Sequence, residues 1–398
     1  MPSTPAPSGW RWVQLTDLAR LESGHTPSRR HPEYWGGPIP WISIQDAKAN
    51  DGRRILTTQE STNELGIANS SARVLPKNTV CLSRTASVGY VVVMGKPMAT
   101  SQDFVNWVCS DRLDPDFLKY LLIAEGDDLL RFASGAVHQT IYFPEVKAFH
   151  ICLPPLREQR RIVGIVNKAL DGIAAATVNA ERNIQNARAL LDSHLHSVFS
   201  QRGEGWSMRN VGDLADHALG KMLDKAKNKG EPHQYLRNLN VRWFGFDLSD
   251  LREMRFLPGE TERYRAVKGD LLICEGGYPG RAAIWNQDYP IFFQKALHRV
   301  RFHQPDHNKW FLYFLYMQDA NGQLRRHFTG AGIQHFTGEA LDQFEVPIAP
   351  QPVLRAHVVQ MDRLFAETRR LEAVYANKLA AVKALKKSLL DHAFTGQL

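Results

Sequence analysis

Apolar residues recur along this chain in two rhythms. The slower one fills two long stretches. From residue 156 onward, apolar or small side chains fall at steps of three and four: Ile162, Val166, Ala169, Ile173, Ala176, Ala180, Ile184, Ala187, Leu191, Leu195 and Val198. A second series runs Val358, Met361, Phe365, Thr368, Leu371, Tyr375, Leu379, Val382, Leu385 and Leu389. Each predicts a long helix with one near-heptad stripe, the pattern of a coiled-coil seam. A helix of about 40 residues spans about 60 Å at roughly 1.5 Å per residue, longer than a small domain is wide. Packing of each helix on its own domain is therefore the weaker alternative.

The first stretch opens with "LPPLREQRRIV" (153–163), the second with "IAPQPVLRAHVV" (348–359). Pro154 and Pro155 stop an extended segment and suit a helix start, where a missing N–H costs little. Glu158 falls in the first turn, complementing the positive end of the helix dipole. Asp171-Gly172 predicts a kink or interruption.

The faster rhythm fills the rest. "GYVVVMG" (89–95) and "DLLIC" (270–274) read as strands between Gly, Pro and Asn turns. "DPDFLKYLLIA" (114–124) and "DHNKWFLYFLYM" (306–317) read as apolar helices, each opened by an Asp cap. "LHRVRFH" (297–303) alternates, which puts Arg299, Arg301 and His303 on one strand face: a solvated face or a phosphate track.

The two rhythms occur twice. "GW" at 9–10 recurs at 205–206, Lys77 and Gly89 match Lys268 and Gly280, "FASGAVHQT" (132–140) answers "FTGAGIQH" (328–335), and Phe199 matches Phe394. The offset stays within 191 to 196 residues, so the chain is a tandem duplication. Each half holds a mixed α/β globular region followed by a long helix. The two amphipathic helices are expected to pair with each other, antiparallel, with the globular halves at opposite ends.

Composition adds little to this. At 398 residues, with 43% hydrophobic and 23% charged residues, the chain is ordinary for a multidomain globular protein. It has no apolar run of membrane-spanning length, and "MPSTPAPSGW" lacks signal-peptide character, so a cytoplasmic protein without membrane association is expected. Cys81, Cys109, Cys152 and Cys274 are scattered, which argues against a disulfide framework or a metal site. A net charge of +8 fits a polyanionic partner. Two related but diverged basic domains on a rigid spacer suit two unlike DNA tracts at a fixed separation. A 60 Å rod reaches across at most about 18 base pairs.

In "LPPLREQRRIV", in the strand-turn "LPKNTVCLSRTASVG" with its echo "VKGDLLICEGGYPG", and in the tail "LKKSLLDHAFTGQL", the chain resembles the DNA specificity subunits of type I restriction-modification systems. The resemblance covers residues 9–398. It implies target-recognition domains at 1–152 and 204–346, with helical regions at 153–203 and 347–398. Each domain would bind half of a split sequence in double-stranded DNA. The helices would form the antiparallel coiled coil and dock two methyltransferase subunits, with restriction/translocase subunits joining that core. Docking is expected at Leu156, Glu158, Gln159 and Arg160, and at Leu354 and Arg355; the second start departs from the pattern by lacking the Glu-Gln pair.

For DNA contacts, the loop "SRTASVGY" (83–90) offers Arg84, Ser87 and Tyr90, and "EGGYPGR" (275–281) offers Tyr278 and Arg281. A second loop pair offers His138 and Gln139, and Gln334 and His335; Arg299 and Arg301 complete the set, with Arg325 and Arg326 of similar character. Gln suits adenine and Arg guanine, while hydroxyls hold phosphates. Ordinary chain reversal is the competing explanation for the Gly and Ser of these loops.

Enzyme signatures are missing from the sequence. It has no cofactor-binding Gly motif with an Asn-Pro-Pro-aromatic tetrapeptide and no phosphate-binding GxxxxGK motif. Pro115-Asp116 with Glu145-Val146-Lys147 matches a nuclease pattern only loosely. A recognition subunit without catalysis or cofactor is expected. Two alternatives stay open: a coiled-coil scaffold that binds only proteins, and a specificity subunit of another methyltransferase-linked defence system.

Overall fold

A computed structural model describes residues 5–398 apart from 86, 127, 128, 130–139, 202 and 225. The chain divides into two compact units, residues 1–180 with 377–398, and residues 181–376. In the first unit a five-stranded sheet runs in the order Ala19–Ser23, Phe104–Cys109, Val80–Ser83, Val91–Met94 and Arg54–Ile55. The strands Val80–Ser83 and Val91–Met94 are buried along their whole length, as their unbroken apolar runs require. Helix Pro115–Glu125 packs its apolar face on the sheet's inner layer, and Asp114 caps it by accepting from the Asp116 and Phe117 N–H groups. A three-stranded sheet (Glu60–Thr62, Trp35–Ile42, Ala99–Thr100) and the ribbon Arg11–Gln14 with His150–Leu153 complete the unit.

The second unit repeats this plan. Its four-stranded sheet runs Ala215–Leu219, Leu297–Phe302, Leu271–Cys274 and Ala282–Ile284, beside a second sheet centred on Glu231–Leu236 and Ile291–Phe293. The ribbon Ser207–Asn210 with Glu345–Ile348 matches the first unit's ribbon. The registers agree as well. Val80 pairs with Trp107 in one sheet, and Leu271 with Val300 in the other, at the offset read from the sequence. One expectation fails: Asp306 does not cap its helix. Helix Asp306–Ala320 starts one residue early, with Pro305 at the cap, and the Asp306 carboxylate is bonded to Gln351 and Arg355 instead.

The central helix is Leu156–Ser200 and the C-terminal helix Gln351–Phe394. The central helix is continuous through Asp171-Gly172, against expectation. A lone exposed glycine costs about 1 kcal/mol relative to alanine, too little to break a helix held by packing on both flanks. In the first unit Ile162 and Val166 share a core with Leu390 and Ala393. In the second, Leu191, Leu195 and Val198 share one with Leu354 and Met361, and Thr368 Oγ1 donates to the Ala187 carbonyl at 3.4 Å. Each unit thus joins the start of one helix to the end of the other, which is antiparallel pairing.

Two seam positions differ from expectation. Ala176 is exposed, and Thr177 takes its place, bonded to the Ile173 carbonyl. Leu385 is exposed too. A straight helix drifts about 20° per heptad from a 3.5-residue repeat, so a seam read as strict heptads loses its place mid-helix.

A repeated aromatic trio closes each core. In the first unit Phe394 sets its edge on Phe117 at 5.2 Å with Trp10 beside it; in the second Phe199 does so on Trp310 at 4.7 Å with Trp206 beside it. The four cysteines are free thiols, and burial pushes Cys109 up to about 12 and Cys274 to about 11. No helix among the described residues is long and apolar enough to cross a membrane.

Candidate nucleic-acid interface

In the first unit, the chain turns between Val80–Ser83 and Val91–Met94 through a loop that Ser83 organises. Its hydroxyl donates to the Ser87 carbonyl at 2.6 Å and accepts from the Tyr90 N–H at 2.8 Å, and Gly89 takes φ +109°. Arg84 binds the loop to its neighbours. Its N–H donates to the Asp103 carbonyl, its guanidinium lies near the Gln102 and Ile141 carbonyls, and it stacks over Phe143 at 5.0 Å. Among the described residues its Nε is buried without a partner, and burial lowers its pKa. Ser87 and Tyr90 are half-buried, Tyr90 against the core. A bridge between Thr85 and Thr140 joins this loop to the second one. His138 and Gln139 lie outside the described residues.

The second unit repeats the geometry with different side chains. Gly280 donates to the Cys274 carbonyl at 2.9 Å, as Gly89 does to Ser83. Glu275 stands where Arg84 stands: its N–H donates to the Ala296 carbonyl, and its carbonyl accepts from Phe336, as that of Arg84 does from Ile141. Arg281 donates to the Asn238 carbonyl at 2.9 Å and lies 4.9 Å over the Tyr278 ring. Tyr278 is half-exposed, and the charge of Asp319 raises its hydroxyl pKa. Thr329 and His335 exchange backbone bonds of 2.9 and 2.8 Å, closing a hairpin that leaves Gln334 exposed and His335 half-buried beside Gly276.

The sequence reading missed a third element at this edge. A Cβ on Gly24 would collide with the Ser101 carbonyl, and one on Gly220 with the Gln294 carbonyl. This close approach brings segment 24–30 against Gln102, where Thr26 Oγ1 bonds Gln102 Oε1. Arg29 lies over Trp35 at 4.0 Å and Trp41 at 5.2 Å while paired with Glu60. The offset of 196 between the two glycines was the available signal.

Arg299 lies in the interior, and Arg301 is committed to an ion pair. Arg299 is buried and donates to the Glu262 and Arg265 carbonyls at 2.7 and 3.0 Å. Arg301 grips buried Asp270 through two bonds of 2.8 and 2.7 Å. The sheet is covered on both faces at Arg299, so alternation there does not imply a solvated side, while Arg301, nearer the strand end, stays partly exposed in its ion pair.

Residues 7–183 and 203–380 each match the model of the type I restriction modification DNA specificity domain. The chain belongs to this family. It is 28% identical over 163 residues to the MjaIX specificity subunit of Methanocaldococcus jannaschii, a match covering 40% of this chain and 38% of that one. To the EcoKI specificity subunit of Escherichia coli K12 it is 22% identical over 288 residues, covering 67% of this chain and 61% of that one. The chain thus spans less than two thirds of the length of the curated relatives it matches. Two solved structures share the fold. A chain from work on assembly and conformational transition of the type I R-M system superposes with TM-score 0.78 at 20% identity, covering 99% of this chain and 100% of that one. The HsdS subunit of Thermoanaerobacter tengcongensis does so with TM-score 0.60 at 20% identity, covering 100% and 99%.

This specificity-domain protein divides its expected docking residues into surface and interior. Leu156 and Arg160 line an open groove with Pro76, Lys77 and Asp111. Glu158 is held by Arg161, which lowers its pKa. Gln159 is wholly buried. It accepts from the Asp114 N–H at 2.8 Å and donates to the Arg112 and Pro154 carbonyls, both at 3.0 Å. Leu354 is likewise interior, part of the second unit's core. Both are structural, because a long helix starting under a sheet edge must satisfy or cover the loop groups it buries. Arg355 is exposed and paired with Asp306 at 2.6 Å.

Proposed function

We propose that this protein is the DNA specificity subunit of a type I restriction-modification complex. It recognises an asymmetric bipartite target, two short unlike tracts at a fixed gap, in double-stranded DNA, and contributes no catalysis itself. The observation that carries this reading is the double family match combined with divergence at corresponding positions of one surface. Arg84 stands where the second unit has Glu275, and Ser87 and Tyr90 stand in a loop whose counterpart carries Tyr278 and Arg281. One fold presenting two chemistries reads two sequences.

Within each domain, the loops around 84–90 and 140, and around 275–281 and 334–335, supply base contacts. Arg84 and Arg281 shape those loops, because their guanidinium groups already serve backbone carbonyls. Segment 24–30 and the exposed Arg325 and Arg326 supply phosphate contacts. Leu156, Glu158, Arg160 and Arg355, on the exposed sides of the two helix starts, dock two methyltransferase subunits, and restriction/translocase subunits complete the complex. A cytoplasmic location follows from that role.

Co-expression with the cognate methyltransferase subunit in a methylation-free host, followed by genome-wide sequencing of modified adenines, tests this. One split motif with two unlike tracts and a constant gap is expected. An unsplit motif overturns the bipartite reading, and no new methylation from an assembled complex overturns DNA specificity.

A further inference from the structure

The second unit carries an apolar side chain where solvent would ordinarily exclude one. Ile333 is 75% exposed, the highest value for any large hydrophobic among the described residues. It does not sit in a loose segment. The two Thr329–His335 backbone bonds close the hairpin beneath it, and Gly330, at φ +109°, brings its backbone against the Ile333 carbonyl. The hairpin base is fixed in turn by the Phe336 N–H on the Glu275 carbonyl at 2.8 Å. A rigid turn therefore holds an isoleucine out into water.

Gln334 follows it directly. It is exposed, and its side-chain amide has no hydrogen-bond partner among the described residues. Just before the hairpin, the turn Leu324–His327 presents exposed Arg325 and Arg326. The tip thus combines an apolar group with an unused amide, and two exposed arginines precede it in the chain.

Base pairs differ in what they offer such a tip. In the major groove only thymine presents an apolar group, its C5-methyl, and its partner adenine presents the N6 donor and N7 acceptor that a glutamine amide matches in pairs. We propose that Ile333 and Gln334 together read one T·A base pair from the major groove, Ile333 against the thymine methyl and Gln334 on the adenine edge. This rests on the DNA-binding reading above and adds the base identity at one position of the second unit's tract. At the offset of 195, His138 stands where Ile333 does and Gln139 where Gln334 does, so the first unit lacks the apolar half of the reader.

The test uses the full chain assembled with its methyltransferase subunits and a duplex carrying the mapped target. Each thymine of the second tract is replaced in turn by uracil, which keeps pairing and removes only the methyl. Binding is followed by fluorescence anisotropy for the wild type, Ile333→Ala and Gln334→Ala. One thymine position is expected to weaken wild-type binding about fourfold on losing its methyl, the worth of one buried methyl group. Ile333→Ala should bind the native duplex at least as much more weakly and ignore that uracil. Gln334→Ala should lose discrimination against 7-deazaadenine at the paired adenine. Because Ile333 is exposed, its truncation should leave thermal unfolding unchanged. Uniform wild-type affinity for all uracil duplexes, a uracil penalty that persists in Ile333→Ala, or a second tract without a T·A pair overturns this proposal and leaves DNA recognition standing. Failure of the wild-type complex to bind its mapped duplex overturns both.

Discussion

The strands Phe104–Cys109 and Leu297–Phe302 occupy the same place in their sheets, yet their polar interiors differ in kind. In the first unit Val105, Asn106 and Val108 stand where the second has His298, Arg299 and Arg301, and Thr79 stands where the second has Asp270. At these positions the first unit is neutral: Thr79 Oγ1 donates to the Pro76 carbonyl at 2.7 Å, and the Asn106 amide to Thr100 Oγ1 at 2.8 Å. The buried charge of this register, Glu22 across the ladder from Asn106, is paired to Arg20 and Arg73. The second spends three ionisable side chains and an aspartate on the same register. What the fold requires is the apolar layer and the strand pairing; the polar groups need only be satisfied, by whichever chemistry is at hand. The two solutions differ in cost, because buried charges depend on partners and pH in ways amides and hydroxyls do not.

The largest effect should come from breaking the charged solution at one end. Asp270 accepts both bonds from Arg301 and a third from the Val267 N–H at 2.8 Å. Asp270→Thr leaves a half-buried guanidinium without its anion, a loss of about 2–3 kcal/mol once partial exposure of Arg301 is allowed for. Adding Arg301→Val installs the first unit's own pair and should restore most of that. Urea unfolding followed by limited proteolysis, with fragments assigned to each unit, reads both variants. A double variant as unstable as the single one would show that the charges are built into the second unit's packing and not exchangeable.

Acid should separate the units next. His298 is buried and bonded through Nε2 to the Phe336 carbonyl at 3.0 Å, and burial, with His217 nearby, lowers its pKa to about 4. The unfolded chain takes up that proton first as pH falls. The contribution is therefore complete above about pH 6.5, falls as pH drops from there toward 4, and is flat below; at pH 5.5 about 1 kcal/mol is lost. His307, His327 and His357, all in the second unit, shift the same way through burial. The shifted carboxylates of the first unit, Glu33, Glu60, Asp116 and Glu158, are held low and act only at more acidic pH. Between pH 6.5 and 5 the second unit's urea midpoint should fall while the first unit's stays level, and His298→Val should flatten part of that slope. Equal slopes in both units would end the contrast.

These differences show what could be read from the residues alone. The duplication, the long helices and the strand-turn loops were legible because each repeats a pattern: a period of three to four, an unbroken apolar run, a constant offset. Burial on both sides of a strand leaves no period, so Arg299 read with Arg301 as a basic face. Gln159 looked like a surface residue because nothing local reveals that a loop's carbonyls converge on it. Gly24 and Gly220 escaped notice since their constraint comes from strands far away in sequence. Ile333 was missed for a simpler reason: no sequence pattern distinguishes a rigid hairpin tip that exposes an isoleucine from an ordinary turn.

The smallest effect concerns how each unit secures the start of its long helix. The first uses buried Gln159 on two carbonyls and an N–H; the second has apolar Leu354 at that position and uses surface charge, with Asp306 accepting from Gln351 at 2.7 Å and Arg355 at 2.6 Å. These bonds, that of Arg355 first, hold the Asp306 pKa low. An exposed pair of this kind is worth less than about 1 kcal/mol, since solvent already stabilises both charges. Arg355→Met should thus lower the second unit's urea midpoint slightly at low salt and hardly at all at high salt, where screening has removed most of the attraction. A neutral buried amide has no such dependence, so the first unit's helix start should hold equally well in both. A large, salt-independent loss from Arg355→Met would mean that the second start is as internal as the first, and that the two halves solved this problem alike.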